Sequence, residues 1–381
     1  MKAYFDNAAT TYPKPEEVYS FMDNFYREHG GNAGRGQYKL AANASRIMDE
    51  TRSDLKKLLC CYNKDILFAP SATIALNQVI QGSISEKIKN IYISPFEHNA
   101  VTRVLYQYEA RKKIKVNILP ITNNFQYDLE EIEKVFMQSK PDMVIMSHAS
   151  NVCGLIAPVE KVFNLAKNHN AITIVDMAQT AGLVPLNVGS DNIDFAVFAG
   201  HKTLYGPFGV AGFAKKSSLS PAPILFGGTG IDSANQDMPQ VLPSRYEVGS
   251  QNIQAIAGLH AALKWRLNLG DLMRVREEEN HRKLVNLLKQ YENITIVGPE
   301  DRNSCIGVVS CVFDGYSSDN ISDVLDRFEI AVRSGLECAP IAHKCLGTFP
   351  AGTVRFSVGY FTSEQEFKIL QDALDYIEDN S

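Results

Sequence analysis

A lysine ends a strongly apolar stretch of this 381-residue chain, an unusual place for a side chain that ordinarily lies on the surface. The segment FAGHKTLYGPFGVAGF (198–213) runs from an apolar strand through a glycine-rich turn into a second apolar strand, with His201 and Lys202 where the first should end. Both flanks are typical of buried structure, so we expect the pKa of the Lys202 amine to be lowered. A neutral amine in an apolar pocket is a nucleophile that forms a Schiff base with an aldehyde.

Two other polar residues occur where apolar runs end or helices begin. Asp176 lies in AITIVDMAQ (171–179), and a carboxylate buried there requires a cation or a hydrogen-bond donor. A protonated pyridine nitrogen meets that requirement, and capping of the following helix is the alternative role. His98, in EHNAV, is suited either to stacking on a planar ring or to a structural role.

The segment APSATIAL offers a site for a phosphate. Ser71, Ala72 and Thr73 follow a predicted strand and open a predicted helix, where free N–H groups and the helix dipole favour an anion. The hydroxyls of Ser71 and Thr73 add donors, although an ordinary N-cap explains the same residue types. A Schiff-base lysine, an acid, a stacking histidine and a phosphate cradle are together what pyridoxal 5'-phosphate (PLP) requires, so the sequence predicts that cofactor.

The elements that must position these groups alternate between short apolar runs and amphipathic stretches. Strands are predicted at DILFA (65–69), KNIYIS (89–94), PDMVIMSHAS (141–150), AITIVDMAQ (171–179) and DFAVFAGHK (194–202). This alternation predicts an α/β fold with a mostly parallel sheet covered on both faces, whose ligands bind beyond the carboxyl ends of the strands. Polar residues at four of these ends predict one shared site: Ser94 to His98, Ser147 to Asn151, Asp176 to Gln179, and His201 with Lys202.

The pattern changes near residue 255. A long helical stretch leads into the predicted strands ITIVG, GVVSCVF and TVRFSVG and the predicted helices NISDVLDRF and SEQEFKILQDALDYIE. We therefore expect a large PLP-binding α/β domain at residues 15–257 and a smaller α+β domain formed by residues 1–14 and 258–381.

The overall composition argues against several classes of protein. With 38 basic and 43 acidic residues the formal net charge is −5, which offers no basic surface to nucleic acid or acidic membranes. No apolar run approaches the roughly 20 residues that span a bilayer, and no apolar signal segment is expected at the N-terminus. The seven cysteines are scattered without zinc-ligand spacing, so we expect no metal site and reduced thiols in a cytoplasmic protein.

Ten segments of the chain match those of a known family in order and spacing: YFDNAATT, GNAGRG, SATIALN, EHNAV, SHASNVCG, VDMAQ, GHKTLYGPFG, RYEVGSQN, VRSGLECAP and GTVRFSVGYFTSEQE. Over almost its full length the chain resembles the cysteine desulfurases and selenocysteine lyases of the class V aminotransferase fold. The resemblance implies fold type I of the PLP-dependent transferases and a homodimer. It also implies a reaction that converts L-cysteine to L-alanine and leaves the sulfur as a persulfide on an enzyme cysteine.

The resemblance also assigns roles to individual positions. Lys202 is the lysine that holds the cofactor covalently, Asp176 the partner of its pyridinium nitrogen, and His98 the residue that stacks on its ring. Gln179 is expected to hydrogen-bond the phenolic oxygen of the cofactor, and Asn151 to lie near that oxygen and the substrate. The remaining assignments are Ala72, Thr73 and His201 as phosphate contacts, Ser250 as a phosphate contact from a second subunit, and Arg355 as the bidentate clamp of the substrate carboxylate.

Cys338, in RSGLECAPIAHKCLGT, decides which reaction the resemblance implies. The family motif places its persulfide-forming nucleophile here, on a loop expected to swing between the substrate sulfur and an acceptor. Our hypothesis is that positive charge from Arg333 or His343 raises the thiolate fraction, although either residue is equally compatible with a surface or core position. Cys345 is a weaker candidate for relaying the persulfide.

The loop that carries Cys338 is short, as in the second group of desulfurases. Members of that group often act on L-selenocysteine as well and commonly depend on a sulfur-acceptor protein, so both are expected partners here. The sequence leaves open the acceptor, the preference between sulfur and selenium, and the pathway served, iron–sulfur cluster assembly among others.

Two departures from the family pattern are visible. Ala199 stands where relatives often have serine, which removes one phosphate hydroxyl, and the histidine that relatives carry near GNAGRG has no match. A transaminase, an epimerase or a selenocysteine-specific lyase is the rival prediction, because each needs Lys202, Asp176 and Arg355 but not Cys338. A non-catalytic carrier has no need of the whole set, and a dinucleotide-binding enzyme lacks its G-x-G-x-x-G after the first strand.

Overall fold

The computed structural model describes residues 1–33, 36 and 38–380, in which thirteen strands and eleven helices are assigned. The strands are β1 (Ala3–Tyr4), β2 (Lys64–Ala69), β3 (Asn90–Ile93), β4 (Lys115–Ile118), β5 (Met143–Ser147), β6 (Ile172–Asp176), β7 (Phe195–Ala199), β8 (Ala211–Lys216), β9 (Ile294–Val297), β10 (Val308–Phe313), β11 (Ile330–Ala331), β12 (Arg333–Gly335) and β13 (Thr353–Ser357). The helices are α1 (Glu16–His29), α2 (Lys39–Leu58), α3 (Ala72–Ser83), α4 (Asn99–Glu109), α5 (Leu129–Gln138), α6 (Val159–Lys167), α7 (Ile253–Leu269), α8 (Leu272–Leu288), α9 (Ser318–Arg327), α10 (Pro340–Cys345) and α11 (Glu364–Asp379).

The large sheet has seven strands in the order β2-β8-β7-β6-β5-β3-β4. Only β8 runs antiparallel to its neighbours, and the other pairs are parallel, as the sequence predicts. Strand β4 is an addition to the predicted set. It has only four residues at the exposed edge of the sheet, too few for a clear period-2 pattern.

Alternating side chains of the central strands enter two separate cores, one on each face of the large sheet. In β5, Val144 and Met146 pack with helices α2, α5, α6 and α7, whereas Met143 and Ile145 pack with α3 and α4. A strand buried on both faces carries apolar residues at every position, which is why these runs are continuous in the sequence. The predicted α/β class is confirmed. None of the described helices is both long enough and apolar enough to cross a membrane.

A second, antiparallel sheet with the order β12-β13-β10-β9 lies in the C-terminal part of the chain. The N-terminus joins it: β1 pairs in parallel with β11, and Asp6 forms a bridge with Ser357 at the end of β13. The first residues of the chain thus pair with strands of the C-terminal part, and their assignment to one domain with it stays a prediction.

The predicted domain boundary between residues 257 and 258 falls inside α7. Ala257 and Leu259, on either side of it, both belong to the core beneath the large sheet. The core of the large sheet therefore continues across this boundary, and the exact division of the chain stays a prediction.

Candidate active site

A cavity of about 210 Å³ lies beyond the carboxyl ends of the parallel strands. It brings together eight of the residues predicted to bind the cofactor: Ala72, Thr73, His98, Asn151, Asp176, Gln179, His201 and Lys202. These residues come from five separate segments, so the polar strand ends do converge on one site.

Lys202 enters the cavity from a tight turn after β7. The N–H of Gly200 donates to Val210 O at 3.1 Å, and the N–H of Gly206 donates to Gly200 O at 2.8 Å, which closes the turn on itself. A Cβ atom at Gly200 would lie 2.5 Å from Val210 O, so the close approach requires glycine. Burial lowers the pKa of Lys202 to about 8, and the opposite charge of Asp176 limits the fall. The amine is thus neutral far more often than that of a surface lysine.

Asp176 ends β6 on the floor of the cavity. Its Oδ1 accepts a hydrogen bond from the N–H of Ala178 at 2.9 Å, and burial raises its pKa, opposed by that bond and by Lys202. A cationic N–H of a ligand would supply the charge partner that a buried carboxylate lacks. No helix directly follows Asp176 in the described part of the chain, so the alternative role as a helix cap does not apply; its carboxylate accepts a hydrogen bond within a turn and lines the cavity.

His98 is the N-cap of α4, where its Nδ1 accepts the N–H of Ala100 at 3.0 Å. Burial lowers its pKa to about 4, with Lys202 and Arg355 adding repulsion, so the ring is neutral near pH 7. Gln179, on another wall of the cavity, donates from Nε2 to Ala8 O at 2.9 Å and keeps a second N–H on the same amide. A neutral ring and an amide donor suit the face and edge of an aromatic cofactor.

The N-terminus of α3 forms the end of the cavity that is suited to bind an anion. Ser71 is the N-cap, and its hydroxyl accepts the N–H of Ile74 at 3.3 Å. The first intrahelical bond runs from Ala75 to Ser71, so the N–H groups of Ala72 and Thr73 have no carbonyl within the helix. His201 Nδ1 is buried without a hydrogen-bond partner in the described residues. These unused donors, together with Lys202 and Asp176, fit the phosphate, aldehyde and ring nitrogen of PLP.

Arg355 lies on β13 and is almost completely buried. Its Nη1 donates to Asn151 O at 3.1 Å and its Nη2 to Asp6 Oδ1 at 2.8 Å. Asp6 Oδ2 also accepts from Arg333 Nη2 at 2.8 Å. The role of Asp6 was missing from the sequence analysis, because YFDNAATT supported the resemblance without indicating a tertiary ion pair.

Cys338 lies on the loop between β12 and α10 with its side chain exposed. It lines a groove beside the cofactor cavity, and Thr73, His98 and Ala100 line both spaces. Arg333 lies near enough that Cys338 contributes to raising the pKa of Arg333, after the larger effect of its hydrogen bond to Asp6. The effect of Arg333 on the thiolate fraction of Cys338 stays a prediction.

His343 is fully buried and does not serve the role expected of it. Its Nε2 lies 2.6 Å from Glu337 Oε2 and its Nδ1 lies 2.7 Å from Thr348 Oγ1, so both ring nitrogens are engaged away from Cys338. The side chain belongs to the interior of the loop.

Cys345 is a poor nucleophile. Cys345 packs with Cys153, Cys305 and Ala342 in an apolar cluster, and burial raises its pKa to about 11. A thiol that is mostly protonated is a weak nucleophile, which argues against the relay that the sequence allowed.

Three other predictions concern positions at the edge of the site. Ala199 lines the cavity, so the hydroxyl that relatives often have there is missing. Ser250 is exposed and does not line the cavity of its own chain, and its phosphate contact from a second subunit stays a prediction. Gly34 and Arg35 of GNAGRG lie outside the described residues.

Within the part of the chain that the structure describes, no group of three or more His, Cys, Asp or Glu side chains is arranged to hold a metal ion.

Comparison with known proteins identifies close similarity to cysteine desulfurases. The cysteine desulfurase of Synechococcus elongatus is 28% identical over 389 residues, and the chain spans 99% of its own length but only 61% of that relative. A "Probable cysteine desulfurase" of Halalkalibacterium halodurans is 29% identical over 382 residues, with 98% of this chain and 92% of the relative covered.

Solved structures show the same similarity. The apo structure of a cysteine desulfurase from Thermococcus onnurineus NA1 matches with a TM-score of 0.91 at 27% identity, covering 100% of this chain and 95% of that one. The family model described as aminotransferase class-V matches residues 3–370. The match includes every segment that lines the cavity, and the chain therefore belongs to the class-V aminotransferase family of PLP-dependent enzymes.

Proposed function

We propose that this protein is a cysteine desulfurase, which converts L-cysteine to L-alanine and carries the sulfur away as a persulfide on Cys338. One observation supports this reading above the others: an exposed thiol stands on a loop beside the cavity that contains Lys202. A transaminase or an epimerase has no use for a thiol at that position.

Lys202 and Asp176 provide the proton chemistry. Bound PLP supplies an aldehyde that an amine can hold covalently and a ring that accepts electrons from the α-carbon of the substrate. Lys202, whose pKa is lowered to about 8 by burial, is able both to take and to return a proton near neutral pH. Asp176, which lines the cavity, would hold the ring nitrogen of bound PLP and favour its protonated form.

Arg355 is suited to bind the substrate carboxylate. Its guanidinium is fixed by Asn151 O and Asp6, and its Nε is buried without a partner in the described residues. A carboxylate that reached this guanidinium would meet a charged donor that is already oriented, although Arg355 is not among the residues that line the cavity.

The thiolate of Cys338 then takes the sulfur. Its Sγ forms a bond to the sulfur of L-cysteine while the bond between that sulfur and Cβ breaks, and the electron pair of the broken bond stays on the carbon side. Protonation of that carbon and of the α-carbon yields L-alanine, and the enzyme keeps a persulfide on Cys338.

The proposal extends to the assembly of the protein, its location, its sulfur acceptor and an alternative substrate. The protein is a homodimer in the cytoplasm, in which Ser250 of one subunit reaches the phosphate site of the other, a reading supported by the exposure of Ser250 and of Phe226 and Val241 nearby in the chain. A sulfur-acceptor protein removes the persulfide, since Cys338 is accessible from outside. L-Selenocysteine is an alternative substrate.

The test is to incubate the PLP-loaded protein with L-cysteine and a thiol reductant and to assay alanine and sulfide. Wild type is expected to release both, and Cys338→Ala neither. A selenocysteine-specific lyase would instead leave Cys338→Ala active on L-selenocysteine and wild type inactive on L-cysteine. Formation of a keto acid in place of alanine would assign a transaminase.

A further inference from the structure

A buried acid and a buried histidine meet directly beneath the loop that carries Cys338. Glu337 Oε2 lies 2.6 Å from His343 Nε2, and neither side chain has any exposed surface. On its other side the ring contacts Thr348 Oγ1 at 2.7 Å. The chain thus folds back from α10 to hold the residue that immediately precedes the nucleophile.

The backbone of this loop is in an unusual conformation. Glu337 and Cys338 have φ values of 41° and 58°, so two consecutive residues with side chains occupy the left-handed region. That conformation is unfavourable for residues that carry a Cβ atom and persists only where the surrounding structure enforces it. Something must therefore hold both residues in place.

Two hydrogen bonds from other segments hold the backbone carbonyl groups of Glu337 and Cys338. Asn151 Nδ2 donates to Glu337 O at 2.7 Å, and the N–H of Asn99 donates to Cys338 O at 2.7 Å. These bonds come from two segments that also line the cofactor cavity or its groove. The side-chain contact between Glu337 and His343 adds a third anchor, from the helix α10 that follows the loop.

The pair is not explained by stability alone. Glu337 Oε1 is buried and has no hydrogen-bond partner among the residues that the structure describes, and an unpaired buried oxygen is destabilising. Burial raises the pKa of Glu337, and the charges of His343, Arg355 and Arg333 oppose that rise. Strain and an unsatisfied polar atom beside a nucleophile are features that recur at functional sites.

We propose that Glu337 and His343 are positioning residues whose contact fixes Cys338 in its left-handed conformation at the edge of the cofactor cavity, within reach of the substrate sulfur. The inference rests on the proposed desulfurase function. Without the contact, residues 337 and 338 relax toward ordinary φ values and the thiol leaves its position. The earlier chemistry at Lys202 does not involve the thiol and is unaffected.

The experiment compares Glu337→Ala, His343→Ala and Glu337→Gln with wild type in two reactions. The first is alanine release from L-cysteine, which needs Cys338. The second is exchange of the α-hydrogen of L-alanine in D₂O, followed by NMR, which needs Lys202 but no thiol. We expect both alanine variants to lose about ten- to a hundredfold in kcat of the first reaction, the order of loss for a misplaced group, with little change in KM or in the second reaction.

A variant that keeps the contact to His343 and a control variant at an exposed neighbour test whether the contact itself matters. Glu337→Gln retains an oxygen and an N–H that can meet His343 Nε2, so most of the activity is expected to return. Lys344→Ala, an exposed neighbour of His343 on α10, is the control and should match wild type. Hydrogen exchange of peptides covering residues 336–349 should be faster in the two alanine variants than in the control.

Two outcomes overturn the inference. Glu337→Ala and His343→Ala with wild-type kcat would show that the contact does not place the thiol, and equal loss of both reactions would show only general damage to the fold. A wild-type protein that releases no alanine from L-cysteine rejects the proposed function instead. In that case unchanged amide exchange at 336–349 in the variants would still refute the anchoring role, and faster exchange would support it.

Discussion

Asp6 and Arg355, 349 positions apart in the chain, form a buried ion pair in which Arg355 Nη2 donates to Asp6 Oδ1 at 2.8 Å. Arg333 and Arg355 face each other directly across β12 and β13, an arrangement of like charges that is unfavourable by itself. Asp6 accepts hydrogen bonds from both and so makes the arrangement stable. The N-terminal segment thereby orients the arginine that we assign to the substrate carboxylate.

Removal of Asp6 is expected to affect both stability and substrate binding. Asp6→Ala leaves two adjacent guanidinium groups, one of them buried, so we expect unfolding to become easier by about 3 kcal/mol. We expect KM for L-cysteine to rise about tenfold, since each tenfold loss corresponds to ~1.4 kcal/mol of binding.

Denaturant unfolding and steady-state kinetics measure these effects. Asp6→Asn, which keeps one acceptor oxygen, should lie between Asp6→Ala and wild type. Asp23→Ala, which removes a surface ion pair with Arg27, should change neither quantity. Wild-type stability and KM in Asp6→Ala would show that Arg355 needs no such partner.

The rate at which the cofactor is taken up should report the state of Lys202. The amine is protonated below its pKa of about 8 and reactive above it, so the rate of appearance of visible absorbance after PLP is added to cofactor-free protein should rise with pH and level off above about 8. Asp176 favours the ammonium form, so Asp176→Asn should move the midpoint to lower pH. A rate that keeps rising to about pH 10, the region of an ordinary lysine, would contradict the burial of this amine.

Glu97 should make the stability of the folded protein depend on pH. It is fully buried next to His98, where Ser147 donates to it from its N–H at 2.5 Å and from its hydroxyl at 3.0 Å. Burial raises its pKa to about 8, so between about pH 4.5 and 8 the native protein holds a proton that the unfolded chain releases. Stability from this group is therefore full at low pH and declines as pH rises through that window.

Glu97→Gln removes this dependence while keeping an acceptor and a donor toward Ser147. We expect its melting temperature relative to wild type to increase steadily from about pH 5 to about pH 8. Thermal unfolding followed by circular dichroism gives the comparison. A difference that stays constant with pH would mean that Glu97 is ionised in the native state.

The cysteines should differ sharply in their reaction with iodoacetamide. Cys60 and Cys338 are exposed, whereas burial raises the pKa of Cys61 and Cys345 to about 11. Peptide mapping after brief treatment near neutral pH should find label on the two exposed thiols, and on the buried ones only after unfolding. Labelling of Cys345 as fast as Cys338 would reopen its role in persulfide relay.

The cavity residues could be predicted because each lies at or follows the carboxyl end of an apolar strand. Asp176 and Lys202 are examples, since only a parallel sheet brings their positions to one edge. The ion pair of Asp6 and the partners of His343 could not be predicted, because they depend on how the loops of the small sheet pack. The short edge strand β4 was missed for lack of pattern, and α7 was divided because its sequence is apolar on all sides.

The central claim is that sulfur from L-cysteine arrives on Cys338. The most direct measurement is a single turnover of the PLP-loaded protein with one equivalent of L-cysteine and no reductant, followed by mass spectrometry of its peptides. We predict one alanine per active site and a gain of one sulfur atom on the peptide that contains Cys338. Alanine formed with that peptide unmodified, or with the extra sulfur on another cysteine, would contradict the account.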